Sequence, residues 1–396
     1  MMPRILFTHA RLLTPDEEIE DGCLLVQEGR IVRAGRSSEL KTDELKGAEV
    51  YDLQGKILAP GFIDLQVNGG GGRDLLEGTE GAVEAVARFH LHHGTTSFLP
   101  TLITSPPSEL FAAIRAIRGF LRKRDQEAEP ASEILGIHLE GPYISPGKRG
   151  VHPVEWIRPP SLPELREYWA ASGGLLKLLT FAPEQPGGLG LIQGIKALGV
   201  IPAIGHTDAT YEEAMVAIRA GALLATHVFN AMRGFHHREP GAVGAVLDAP
   251  IMASFVADGL HVHEAGLRLL YRAKGADHLI VVTDAVSLTG VDPQQTAERE
   301  YRLGGQRIVM REGRAVNRQG TLAAPILTME EAVKNAARFM GCPIREAIRM
   351  ATANPARLLG IGDRKGKLAP GCDADLVIFD EALNLKGVWS KGRKVL

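Results

Sequence analysis

Between residues 57 and 284 the chain alternates two textures. Short, almost uninterrupted apolar runs, the mark of strands buried on both faces, give way to longer stretches in which apolar residues recur every three or four positions, the mark of amphipathic helices. Eight apolar runs qualify as core strands, at 57–67, 96–103, 134–140, 175–182, 200–206, 223–228, 251–257 and 278–284. The helical period is clearest at 80–93, 109–124, 211–220 and 264–272. Eight strands alternating with helices predict a (β/α)8 barrel of the TIM type, with its site at the C-terminal strand ends. The pattern is weakest at 233–244, which reads as loop. A β-rich excursion over 286–320 precedes closing helices predicted at 329–339 and 344–350.

Both ends of the chain read differently. Residues 4–55 form short strands punctuated by turn signals such as Asp21-Gly22 and Glu28-Gly29. The stretch after Gly371 has the same texture. The expectation is a small β-sandwich domain built from residues 1–56 and 360–396, flanking a barrel over 57–359.

Composition narrows the class. A formal net charge of −2 over 396 residues argues against a general binder of nucleic acid or anionic membranes. Hydrophobic content of 45% is ordinary for a globular protein, and no run is apolar enough to span a bilayer. Cys23, Cys342 and Cys372 are odd in number and widely spaced, and no signal peptide opens the chain, so they read as free thiols in a reducing cytoplasm.

Chemistry gathers at the predicted strand ends. Glu140 terminates an apolar strand at Gly141-Pro142, and a carboxylate there is costly unless something pairs with it. His206 and His227 end strands five and six, Asp284 ends strand eight, and Gln66 and Asn68 end strand one. In a barrel these positions converge on one mouth. Two imidazoles, a carboxylate and water suit a zinc-like divalent ion with an open position, and Asp284 becomes a general base. Singly, each is more often a hydrogen-bonded or capping residue; their joint placement carries the reading. His90, His92 and His93, at a helix end, are read as structural. The glycine run Asn68–Gly72 lacks the Lys-Ser/Thr of a phosphate loop and is expected to give backbone access beside the site. Of His261 and His263, one ring is expected to meet substrate. His236, His237 and Arg238 offer donors for a phosphate.

These residues fall in motifs. Pro60-Gly61-Phe62-Ile63-Asp64-Leu65-Gln66-Val67-Asn68, His138-Leu139-Glu140-Gly141-Pro142, Gly205-His206-Thr207-Asp208-Ala209 and Thr226-His227-Val228-Phe229-Asn230-Ala231-Met232 appear in order. His237-Arg238-Glu239-Pro240-Gly241, Ala257-Asp258-Gly259-Leu260-His261, Val282-Thr283-Asp284-Ala285 and Gly371-Cys372-Asp373-Ala374-Asp375 follow. Over nearly its whole length the chain resembles the amidohydrolase superfamily, and within it the branch that deacetylates 6-phosphorylated amino sugars. The resemblance implies one divalent metal per subunit (zinc, with iron, cobalt or manganese as alternatives) on Glu140, His206 and His227. It implies Asp284 as acid/base and His152 as hydrogen-bond donor to the acetyl carbonyl. Val151, His152, Asn230, Ala231, His237, Arg238 and His261 would meet the substrate, with backbone at Leu322, Ala323 and Ala324. Partners would be a small amino-sugar phosphate and a second subunit of a homodimer, with no nucleic acid or membrane.

Departures matter too. Many members carry His-x-His at the end of strand one for a second metal; Gln66 and Asn68 stand there, so a second site is expected to be weak or absent. Ala324 stands where related sequences often have glycine. The galacto epimer of the substrate, another N-acyl sugar phosphate and a non-catalytic binding scaffold remain as alternatives.

Overall fold

The computed structural model describes residues 4–14, 17–40, 46–124, 129–292 and 301–396. Eight parallel strands form the barrel: Phe62–Val67, Thr95–Ile103, Ile137–Glu140, Leu176–Phe181, Ile201–Ile204, Leu224–Ala225, Met252–Phe255 and Leu279–Val281. They pair in sequence order, and the ring closes through a bridge between Val67 and Ala285. Asp64 helps hold the closure, because its buried carboxylate accepts from Thr283 N–H at 3.3 Å and Thr283 Oγ1 at 2.5 Å.

The chain beyond the barrel follows local rules. Helix Tyr211–Ala220 starts at Thr210, whose hydroxyl and Glu213 form a reciprocal capping box. Helix Met329–Met340 buries Met329, Ala332, Val333, Ala336, Phe339 and Met340, the spacing of one helical face. The excursion after strand eight is a four-stranded antiparallel sheet, Tyr301–Leu303, Gln306–Arg311, Arg314–Asn317 and Leu322–Ala324. No helix among the described residues is long and apolar enough to cross a membrane.

The small β domain joins both termini. Leu376–Phe379 pairs antiparallel with Ile57–Pro60, which pairs parallel with Arg4–Leu13. Side chains alternate across the sheet, so Ile5 and Phe7 enter one apolar cluster and Leu6 enters another with Cys23 and Leu25.

Three expectations need correction. The run 57–67 is two strands: Ile57–Pro60 belongs to the terminal sheet and Phe62–Val67 to the barrel. Gly61 separates them, and a Cβ there would meet Thr96 Oγ1 at 2.4 Å. The run 134–140 is likewise interrupted, at Leu135 and Gly136. The stretch 233–244 is not loop throughout, because a helix occupies Gly241–Asp248. Its glycines disguise it: a Cβ on Gly244 would meet Pro240 Cβ at 2.3 Å, so close packing, rather than flexibility, requires glycine there.

Candidate active site

The regular strands end before the chemistry begins. Strand five stops at Ile204, six at Ala225 and eight at Val281. His206, His227 and Asp284 follow with φ of 47°, 30° and 50°. The left-handed region costs a non-glycine residue roughly 1–3 kcal/mol, and such strain gathers where function over-determines the backbone. Here the chain breaks away from each strand at the residue that delivers the side chain.

These side chains meet. Glu140 Oε1 lies 3.1 Å from His206 Nε2 and 2.9 Å from His227 Nε2, and the two imidazole nitrogens are 3.1 Å apart. All three residues are buried. His206 Nδ1 is 2.9 Å from the Lys148 carbonyl oxygen. A carbonyl only accepts, so Nδ1 carries the proton and a neutral ring leaves a lone pair on Nε2. That lone pair faces a carboxylate oxygen. Such an arrangement is favourable only with positive charge between the two, supplied by a proton or a cation. Ligand atoms around a tetrahedral zinc-like ion lie about 3.4 Å apart, so a few tenths of an ångström of opening admits one. The donor set and its spacing fit a divalent metal.

His152 also comes within reach, because one of its ring nitrogens lies within 4.8 Å of ligand atoms on Glu140 and His206. Its tautomer argues against ligation. The Thr104 backbone N–H donates to His152 Nδ1 at 3.3 Å, and Thr104 Oγ1 is 2.8 Å from the same atom. Nδ1 is therefore the acceptor and Nε2–H the donor. Burial, with the neighbouring His206 ring adding to it, holds the His152 pKa well below the usual histidine range, so it stays neutral. His227, whose Nε2 faces Glu140 Oε1 at 2.9 Å, fits the third position of a cation site better than His152 does.

The two amides at the end of strand one are occupied. Gln66 Nε2 donates to Glu140 Oε1 at 2.9 Å, and Asn68 Nδ2 donates to Asp284 Oδ1 at 2.8 Å. They orient the two carboxylates. Burial resists the charge on Glu140, yet bonds to His206 and His227 outweigh it and hold its pKa well below the carboxylate range. Asp284 goes the other way: burial first, then the negative charge of Glu140, push it up to about 7. Two carboxylates with opposed shifts at one mouth suit different tasks, the one held charged fitting a cation and the one held near neutrality fitting proton exchange.

Around them lies a cavity of about 330 Å³. Val151, His152, Asn230, Ala231, His261, Leu322, Ala323 and Ala324 line it together with Glu140, His206, His227 and Asp284. His261 Nδ1 is 2.5 Å from Asp258 Oδ2, whereas His263 caps the next helix by accepting from Ala265 N–H at 3.1 Å. His237 and Arg238 lie elsewhere, on an exposed turn outside the cavity lining, next to Phe235, which is 62% exposed.

The glycine run does not open the backbone to the cavity, and that expectation is corrected. Gly69 packs so closely that a Cβ would meet Arg73 O at 2.4 Å and Ser287 N at 2.8 Å. His90 Nε2 donates to Gly69 O at 2.9 Å, which gives this buried histidine its structural task. His92 bonds Arg88 O and His93 bonds Glu330. Sequence reading missed Thr104, Lys148 and the cavity residues Leu303, Gln306 and Asn317. Thr104 closely follows a predicted strand end and was open to discovery. The Lys148 contribution is a backbone carbonyl, which no side-chain pattern announces.

The chain has relatives. The model of the amidohydrolase family matches residues 57–395. The N-acetylglucosamine-6-phosphate deacetylase of Lysinibacillus sphaericus is 38% identical over 350 residues, 88% of this chain and 88% of that protein. The enzyme of that name from Danio rerio is 37% identical over 406 residues, covering 99% of this chain and 97% of its own. Among solved structures, N-acetylglucosamine-6-phosphate deacetylase from Pasteurella multocida superposes with a TM-score of 0.89 at 34% identity, covering 99% of each chain. A mutant of the Mycobacterium smegmatis enzyme in complex with N-acetyl-D-glucosamine-6-phosphate gives 0.90 at 32% identity over 100% of both chains.

Proposed function

The chain belongs to the amidohydrolase family, and we propose that it hydrolyses the N-acetyl group of N-acetyl-D-glucosamine 6-phosphate, giving acetate and D-glucosamine 6-phosphate. The observation that carries this reading is the buried meeting of Glu140, His206 and His227 beside Asp284 and a neutral, donating His152. Relatives named for this activity over almost the full length of the chain supply the substrate.

Glu140, His206 and His227 would hold one divalent ion, zinc by preference for such a nitrogen and oxygen set. When bound, the ion supplies Lewis-acid polarisation of the acetyl carbonyl and lowers the pKa of water. The chain's own residues do the rest. Asp284, steadied through Oδ1 by Asn68, takes a proton from the attacking water. His152 Nε2–H donates to the oxygen that gains charge as the carbonyl carbon becomes tetrahedral, a contribution of about 3 kcal/mol for one such donor. Asp284 then passes its proton to the sugar nitrogen, because an amide nitrogen leaves poorly as an anion. Asn230, Ala231 and His261 bound the sugar, with backbone at Leu322, Ala323 and Ala324.

We assign His237 and Arg238 to the phosphate of substrate held by a partner subunit in a homodimer. Their exposure beside Phe235, away from their own cavity, supports that arrangement. A cytoplasmic location suits the phosphorylated substrate and the three buried free thiols.

Metal analysis combined with acetate release tests the reading. One equivalent of divalent metal, and turnover of the 6-phosphate faster than that of its galacto epimer and of the unphosphorylated sugar, are expected. Metal-loaded protein that releases no acetate from any of the three overturns it.

A further inference from the structure

Next to the catalytic cavity lies a second opening of about 630 Å³. Arg149, Arg302, Arg307 and Arg318 line it, and no carboxylate does among the described residues. The two spaces are adjacent, because Gly150, Gln306 and Asn317 border both. Three of the arginines come from the four-stranded excursion after barrel strand eight or its turns. Arg149 follows Lys148, whose carbonyl fixes His206. Among the described residues Arg307 and Arg318 have no ion pair, and Arg149 donates only to the His152 carbonyl, at 3.2 Å. The chain as a whole carries a formal charge of −2, so this concentration of guanidinium groups is local.

We infer that this arginine-lined groove is an anion-binding vestibule that captures the phosphate of the incoming substrate and steers it into the catalytic cavity. The inference rests on the proposed sugar-phosphate substrate and adds to it an entry route within one subunit. A guanidinium presents a planar fork of donors that suits phosphate oxygens. A one-signed rim beside a mouth raises encounter rates for an oppositely charged ligand by tenfold or more, and salt screens that effect. Phosphate at the groove stands outside the reacting centre, so the vestibule acts on capture and leaves the chemical step to Asp284 and His152.

The test replaces Arg307 and Arg318 together with glutamine in the metal-loaded full chain. Both are exposed, so the melting temperature is expected to hold. At about 0.01 M salt kcat/KM for the 6-phosphate is expected to fall about tenfold through KM, with kcat moving less than about twofold. By about 0.5 M salt the variant and the wild type converge. Gln319→Arg, which adds a cation to the same lining, is expected to raise kcat/KM at low salt. Calorimetry with inorganic phosphate gives a readout independent of turnover, and the double variant is expected to bind it at least fivefold more weakly at low salt. Wild-type kcat/KM and wild-type phosphate binding in the double variant overturn the vestibule while leaving the deacetylase reading intact. Weakened phosphate binding in the variant of a protein that cleaves no sugar phosphate upholds the anion site and overturns the deacetylase reading.

Discussion

Replacing His152 with alanine separates the two ways of composing the metal centre. Glu140, His152 and His206 lie close enough to form a ligand set, and so do Glu140, His206 and His227. The Thr104 N–H decides between them by occupying His152 Nδ1 and leaving Nε2–H as a donor. On that account His152→Ala deletes one oxyanion donor and no ligand. Losing such a donor costs about 3–4 kcal/mol of transition-state stabilisation, so kcat is expected to fall 10²–10³-fold. KM should move little, because the carbonyl gains its charge only as the tetrahedral state forms. The side chain is buried, and its removal leaves a small void and an unpaired Thr104 N–H, so melting drops as well and assays belong well below that temperature. Acetate release measured alongside metal content on one preparation reads both effects. Retention of one equivalent of metal with the large loss in kcat supports the account. Loss of the metal in His152→Ala, with retention in His227→Ala, would refute it.

Three further outcomes follow from the same geometry. Asp284→Asn should keep the metal and lower kcat at least 10²-fold by removing the proton carrier; near-normal turnover would take Asp284 out of its role. His90 is fully buried, and burial draws its pKa down to about 4. The unfolded chain therefore takes up a proton near pH 6.5 that the folded protein refuses, and stability is lost as pH falls from 6.5 towards 4, by about 3 kcal/mol. His90→Gln, which keeps a donor for Gly69, should flatten that part of the pH profile in chemical denaturation, whereas an unchanged profile would contradict it. Lys365 is 4% exposed and pairs with Glu133, Asp373 and Asp375, tying the segment that precedes the third barrel strand to the stretch that leads into Leu376–Phe379 of the terminal sheet. Lys365→Met strands buried carboxylates and should cost about 3 kcal/mol in a urea titration; a loss below about 1 kcal/mol would show that Arg364 and Lys391 suffice.

Much of this molecule was legible in the chain because its strongest signals are local. An apolar run that stops at a carboxylate or an imidazole marks a barrel strand and the polar residue at or just beyond its C-terminal end, and Glu140, His206, His227 and Asp284 were singled out that way. Helix Tyr211–Ala220 was readable to the residue because Thr210 and Glu213 cap it. What stayed hidden depends on atoms without a side-chain signature. The tautomer of His206 is set by a backbone carbonyl, and that of His152 by a backbone N–H. The helix at Gly241–Asp248 was missed because its start falls in a stretch that reads as loop, and Gly244, a poor helix former, is required there by the approach of Pro240. The break at Gly61 was missed because both halves of 57–67 are apolar, so hydrophobicity alone cannot tell which sheet each half joins. The tasks of Gln66 and Asn68 emerged only when strand one was set beside Glu140 and Asp284.

The central claim is that Glu140, His206 and His227 enclose one divalent ion. Anomalous diffraction from crystals of the metal-loaded protein, recorded on both sides of the metal's absorption edge, tests it most directly. The account predicts a single strong peak about 2.0–2.2 Å from Glu140 Oε1, His206 Nε2 and His227 Nε2. A peak bonded to His152 in place of His227, or none among these side chains, would contradict it.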